Sequence, residues 1–185
     1  MDEAPDRCEI YRRFKRLDAA YRAGDLAGVK AVLGWPQDFP NTPQPMECAS
    51  GDWPLVTAIT LSPLRFIRQL LDLGADPNFE ALDGFPSLID ALDAPRPDRV
   101  EVMALLLHYG ARTDQRGFND WTPLHYAVVR RNLAAVKLLM EHGADPHART
   151  RIDDCTTPLE DAVAAGFDEA AALMRDRPAG GSLIS

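Results

Sequence analysis

Apolar residues recur along the chain at the spacing of helix turns, in short blocks that stop at glycine. Leu64, Ile67, Leu70 and Leu71 form one block, and Leu133, Val136, Leu139 and Met140 form another. Positions three and four apart share one helix face, so each block predicts an amphipathic helix. Gly143 ends the second block, where glycine tolerates the left-handed conformation that closes a helix. No run of 18 apolar residues occurs, so the pattern predicts nothing that spans a membrane. The expected fold class is all-α.

The blocks are periodic. A short step ending in leucine appears four times, as Trp53-Pro54-Leu55, Pro86-Ser87-Leu88, Thr122-Pro123-Leu124 and Thr157-Pro158-Leu159, with leucines 33, 36 and 35 residues apart. A Gly-Ala step follows three apolar runs, at Gly74-Ala75, Gly110-Ala111 and Gly143-Ala144, with glycines 36 and 33 apart. The period has a physical reading. Thr122 is placed to cap a helix, and Pro123 takes the first helical position, where its missing N–H costs nothing. Leu124 and Ala127 lie one turn apart and face inward. Arg130-Arg131-Asn132 forms a turn, a second helix follows, and Ala144-Asp145-Pro146 leads into an extended finger.

Thr122-Pro123-Leu124-His125-Tyr126-Ala127 matches the T-P-L-H-x-A signature, and the chain resembles the ankyrin-repeat family over roughly residues 12 to 175. The resemblance implies a solenoid of about five helix-turn-helix repeats with short fingers. The repeats fall at about 11–33, 51–80, 83–114, 117–149 and 153–177 within a domain of residues 11–177. Residues 1–10 are expected to be a flexible N-terminus and 178–185 a flexible tail. In the first repeat the helices read as Tyr11 to Ala23 and Asp25 to Leu33. Arg12, Arg13, Lys15 and Arg16 there are expected to form a solvated end face. In the second repeat Trp53 replaces the capping threonine, and Ser62-Pro63 should open the second helix. In the third, Ala94-Pro95-Arg96-Pro97 lengthens the link between helices, and Asp98 with Glu101 reads as a capping box. The fifth should end in an alanine-rich cap helix, Asp168 to Arg175. Residues 34–50, with four prolines and no helical period, form either a recognition loop or a loop that tucks Trp35 and Phe39 against the stack.

The resemblance further implies a concave binding face built from finger tips and first helices. It places there Ser50, Asp52, Thr60 and Leu61; Asp83, Phe85 and Asp93; Phe118, Asn119, Trp121, Val129 and Arg130; and Asp153, Asp154 and Thr156. Phe85, Phe118 and Trp121 stand out, because aromatics beside charges compose protein-binding hot spots. Asp52, Asp83, Asp93, Asp153 and Asp154 should ring them with negative charge.

Composition sharpens the expected partner. The chain has 185 residues and a net charge of −8. An acidic surface repels phosphate backbones, which argues against nucleic acid, and speeds encounter with a basic protein. Arginine exceeds lysine 17 to 3, which with abundant alanine suggests a GC-rich bacterial genome. Cys8, Cys48 and Cys155 include no CxxC pair, so neither a zinc site nor a disulfide framework is expected, and free thiols fit a reducing cytoplasm. The acidic start, Met1 to Asp6, is unlike a signal peptide. His125 belongs to the repeat motif and reads as structural. His142 and His147 flank a turn and lack HExxH geometry, and no nucleophile elbow, P-loop or dinucleotide fingerprint is present. The expected function is non-enzymatic and cofactor-free: a monomer that binds another protein. Two narrower versions are an immunity or antitoxin protein that inhibits a basic enzyme and a secreted effector that binds a host protein. Self-assembly through repeat ends is the competing reading.

Overall fold

The computed structural model describes residues 6–34, 36–45, 52–79, 84–117, 119–152 and 155–176. Among them are ten helices and no strand, as the apolar periodicity predicts. The chain divides into two compact units, 1–82 and 83–185.

The first unit holds α1 (Arg7–Ala23), α2 (Leu26–Leu33), α3 (Pro54–Leu61) and α4 (Leu64–Asp72). α1 starts inside the segment 1–10 that was expected to be flexible. Glu9 sits in its first turn, where negative charge suits the helix dipole, and pairs with Arg12 and Arg16 one and two turns on. Asp25 caps α2 by accepting the Gly28 N–H at 3.0 Å. Trp53 stands at the N-cap of α3 without a side-chain cap, as its lack of a hydroxyl dictates. Ser62 does not cap α4: Pro63 holds that position in an extended conformation, and the buried Ser62 hydroxyl has no hydrogen-bond partner among the described residues. The core joins Leu17, Tyr21 and Val29 to Leu55, Ile59, Phe66, Ile67 and Leu70, with the Tyr21 and Phe66 rings edge to face at 5.9 Å.

The described part of the 34–50 stretch folds onto this unit. Gln44 is buried and makes three bonds at once. It accepts the Tyr21 hydroxyl at 3.1 Å, donates to Thr57 Oγ1 at 2.7 Å, and donates its N–H to the Asp52 carbonyl at 3.0 Å. Asn41 clasps the finger after α4, donating to the Gly74 carbonyl and accepting the Asp76 N–H. Phe39 lies under the Lys30 ammonium at 5.2 Å. Trp35 lies outside the described residues.

The second unit holds three helix pairs: α5 (Ser87–Asp93) with α6 (Arg99–His108), α7 (Pro123–Val129) with α8 (Leu133–Glu141), and α9 (Pro158–Ala164) with α10 (Asp168–Arg175). First helices α5, α7 and α9 pack in sequence, and second helices α6, α8 and α10 pack beside them. Each first helix has seven residues, too short to persist alone, so packing of its apolar face holds it. Leu88, Ile89, Val102, Leu106, Leu124, Val136, Leu139 and Met174 fill that core. Gly143 closes α8 at φ +89°, the left-handed conformation expected there. Asp98 does not form the expected capping box. Its carboxylate instead grips the Arg96 guanidinium at 2.7 and 2.9 Å, a bidentate charged pair that outcompetes a neutral N–H. Arg99 then donates to the Arg96 and Leu92 carbonyls, which fastens the 94–97 insertion to its own repeat.

Candidate partner-binding face

The fingers and first helices of the second unit are built by polar side chains that bridge repeats. Thr122 and His125 form a reciprocal cap on α7, the His125 Nδ1 accepting the Thr122 N–H at 3.1 Å. With Nδ1 an acceptor, Nε2 carries the proton and donates to the Thr156 carbonyl of the next finger at 3.3 Å. Burial holds the His125 pKa below its ordinary value. Thr157 and Glu160 repeat the capping device on α9.

Asp120 is the hinge of the finger before α7. It adopts φ +63° and is buried. Its N–H donates to the Gly117 carbonyl, and the Gly117 N–H donates to the Trp121 carbonyl, which closes a tight loop. The Asp120 carboxylate receives Arg116 from the same finger at 3.0 Å. From the next finger it receives both the N–H and the guanidinium of Arg151. Hydrogen bonding to Arg151 is the main reason its pKa falls to about 2.

That scaffold presents an aromatic cluster. Tyr126, on α7, lies at its centre. The Phe85 ring meets it edge to face at 6.2 Å and the Trp121 ring at 6.1 Å. All three are partly exposed. Phe85 also packs against Gly117, where even a methyl group would crowd the ring at 3.3 Å. One turn beyond Tyr126, the Arg130 guanidinium lies over the Tyr126 ring at 5.1 Å, donates to its hydroxyl at 3.1 Å and pairs with Asp93 of α5.

The structure thus gathers Phe85, Asp93, Trp121 and Arg130 of the expected face. Beside them, Asn119 accepts the Trp121 N–H, and Val129 is exposed. Thr156 is partly exposed and spends its carbonyl on His125 and Thr150. Asp52, Thr60 and Leu61 belong to the first unit, where Thr60 bonds its own helix at Val56. Ser50, Asp83, Phe118, Asp153 and Asp154 lie outside the described residues. The expected ring of negative charge is altered at Asp93, whose charge is matched by Arg130. Sequence reading missed Tyr126, the residue that organises the cluster. Its signal was its spacing, four residues before Arg130 on the outward side of α7.

No group of three or more His, Cys, Asp or Glu among the described residues could hold a metal ion. No described helix is long and apolar enough to cross a membrane.

Residues 98–180 match the family model for ankyrin repeats, in three copies. This part of the chain is built of ankyrin repeats. The chain is 40% identical to the ankyrin-repeat protein YahD of Escherichia coli over 78 residues, 40% of this chain and 38% of that protein. It is 36% identical to human SH3 and multiple ankyrin repeat domains protein 2 over 102 residues, 55% of this chain and 5% of that protein. It is 35% identical to the transient receptor potential channel pyrexia of Drosophila melanogaster over 118 residues, 63% of this chain and 12% of that channel. The chain therefore spans well under half the length of these relatives. Ankyrin repeats are in general protein-interaction modules and non-catalytic.

Proposed function

We propose that this protein binds a partner protein through the finger and first-helix face of its second unit. The carrying observation is the Phe85–Tyr126–Trp121 cluster, three partly exposed rings held in fixed contact beside a charged pair. Rigid aromatics flanked by arginine are what dominates binding energy at interfaces, and one such anchor contributes on the order of 2 kcal/mol. The scaffold is already formed, so little ordering cost opposes binding. The test is affinity capture from the source cell with wild type and with Phe85→Ala/Trp121→Ala. The double variant keeps the helical circular dichroism spectrum and loses the partner. Retained capture moves the site to another face.

The net charge of −8 favours a basic partner, and a basic enzyme held inactive is the form of this reading that matches an immunity or antitoxin role. In that case the captured protein is an enzyme whose activity falls stoichiometrically when this chain is added back.

A further inference from the structure

The aromatic cluster already holds a cation, and that cation is the chain's own. The Arg130 guanidinium lies on the Tyr126 ring, bonded to the Tyr126 hydroxyl and paired with Asp93. A ring face with a carboxylate at its edge is the chemistry that recognises a guanidinium, through the ring quadrupole and through charge. Phe85 and Trp121 stand against Tyr126 at interplanar angles of 64° and 66°, so the ring that holds the guanidinium is itself braced by two others.

The resident is loosely held. The side chains of Arg130 and Asp93 are 49% and 53% exposed, and ion pairs so open to water contribute little. Arg130 also stands at the C-cap of α7, one residue beyond the helix, where its long side chain can swing out without disturbing the repeat. An incoming acidic group would have to draw Arg130 off Asp93 and then sit beside that carboxylate, in a chain of net charge −8. An incoming guanidinium replaces Arg130 like for like, meeting the same ring face and the same carboxylate.

We propose that the partner inserts an arginine side chain between Tyr126 and Asp93, in the place that Arg130 occupies in the free protein. This rests on the reading of the same face as the docking site, and names the chemistry that the face selects. Arg130 is then a self-held plug that sets affinity, and Asp93 is the counterion that decides for a cation. Guanidinium is preferred to ammonium because its plane stacks on the ring while its fork meets the carboxylate.

The experiment is a titration of the full chain with N-acetyl-arginine methylamide, followed at the Trp121 indole N–H by nuclear magnetic resonance. The lysine and glutamate analogues serve as competitors in chemistry, and the Trp53 indole of the first unit serves as an internal control. The arginine probe is expected to shift Trp121 and leave Trp53 in place. Arg130→Gln removes the plug and tightens the probe about tenfold, the effect of losing one modest ion pair with its ring contact. Asp93→Asn abolishes the selective shift. Two results overturn the proposal: an arginine affinity unchanged by Arg130→Gln, or a glutamate probe that shifts Trp121 more than the arginine probe. The two readings fail separately. If Phe85→Ala/Trp121→Ala abolishes partner capture while the arginine probe never shifts Trp121, the docking face stands and the arginine subsite falls. If the probe binds and capture survives that double variant, the subsite stands and the docking face falls.

Discussion

The Asp120 carboxylate accepts the backbone N–H of Arg151 at 2.6 Å and the Arg151 guanidinium as well, from a residue 31 positions further along the chain. One side chain thereby ties the finger that carries Trp121 to the finger that follows. Asp120→Asn keeps the tolerance for left-handed backbone and removes the charge. It should cost about 1.5–3 kcal/mol, the range for hydrogen bonds to a charged group. Urea unfolding checks this, and the Trp121 emission should move to the red as its finger loosens. A pH series provides the second readout. The folded pKa, about 2, lies below the ordinary 3.8, so this stabilisation is complete above that ordinary value and is lost as pH falls toward 2. Asp120→Asn should flatten that limb of the stability curve.

His125 governs a different pH window. Its Nδ1 accepts the Thr122 N–H, so protonation there breaks the cap on α7. The folded pKa lies below the ordinary 6.5, because burial disfavours the charged ring. The folded state thus binds fewer protons than the unfolded state, and stability must fall as pH drops below 6.5 toward the folded value. The slope is at most about 1.4 kcal/mol per pH unit. Denaturant unfolding at pH 7.5 and 5.5 should show that loss in wild type. His125→Asn, which keeps an acceptor near the Nδ1 position and cannot titrate, should show a smaller one.

Gln44 is the cheapest place to ask whether the proline-rich stretch supports the fold. Gln44→Ala leaves the Tyr21 hydroxyl and the Thr57 hydroxyl without the partners they have now. Stranding a buried donor costs about 1–3 kcal/mol. Tyr21→Phe removes that donor, so adding it to Gln44→Ala should cost less than the sum of the single changes. A double-mutant cycle by thermal unfolding measures the coupling. Additive costs would mean that the loop is held by other contacts.

These residues show where a sequence is transparent and where it is not. The leucine and Gly-Ala steps repeat because each helix pair needs the same start and stop, so helix order and most boundaries could be read directly. Thr122 announced its cap by its place before Pro123, whereas the reciprocal bonds of His125 and the Thr157–Glu160 capping box went unread although their spacing is local. Asp98 with Glu101 has similar spacing and misleads, because the competing Arg96 is nearer and charged. Gln44 and Asn41 lie in a stretch without period, and the partners of their side chains are 13 to 35 residues away, so no local rule could find them. The candidate face was half legible. Phe85 and Trp121 stood out as aromatics where polar residues are usual. Tyr126 fills the free position of the repeat signature and gave no contrast. The Asp93–Arg130 pair joins different repeats, so its charge balance is visible only once α5 and α7 are packed.

Gly117 offers a way to disturb the aromatic cluster without touching an aromatic. A Cβ at this position would meet the Phe85 ring at 3.3 Å and the Asn119 side-chain oxygen at the same distance. The φ of Gly117 is not in the left-handed region, so alanine fits its backbone, and any effect must come from the crowding. Phe85 has to give by a few tenths of an ångström, away from Gly117 and out of register with Tyr126. Overpacking of this kind costs about 1 kcal/mol or more. Gly117→Ala should therefore lower the melting temperature by a few degrees and weaken partner capture, with the helical signal unchanged. Gly117→Ala combined with Phe85→Leu relieves the crowding, so it should recover stability and leave capture impaired. Recovery of both would show that the Phe85 ring is scaffolding and that the docking energy comes from Trp121 and Tyr126.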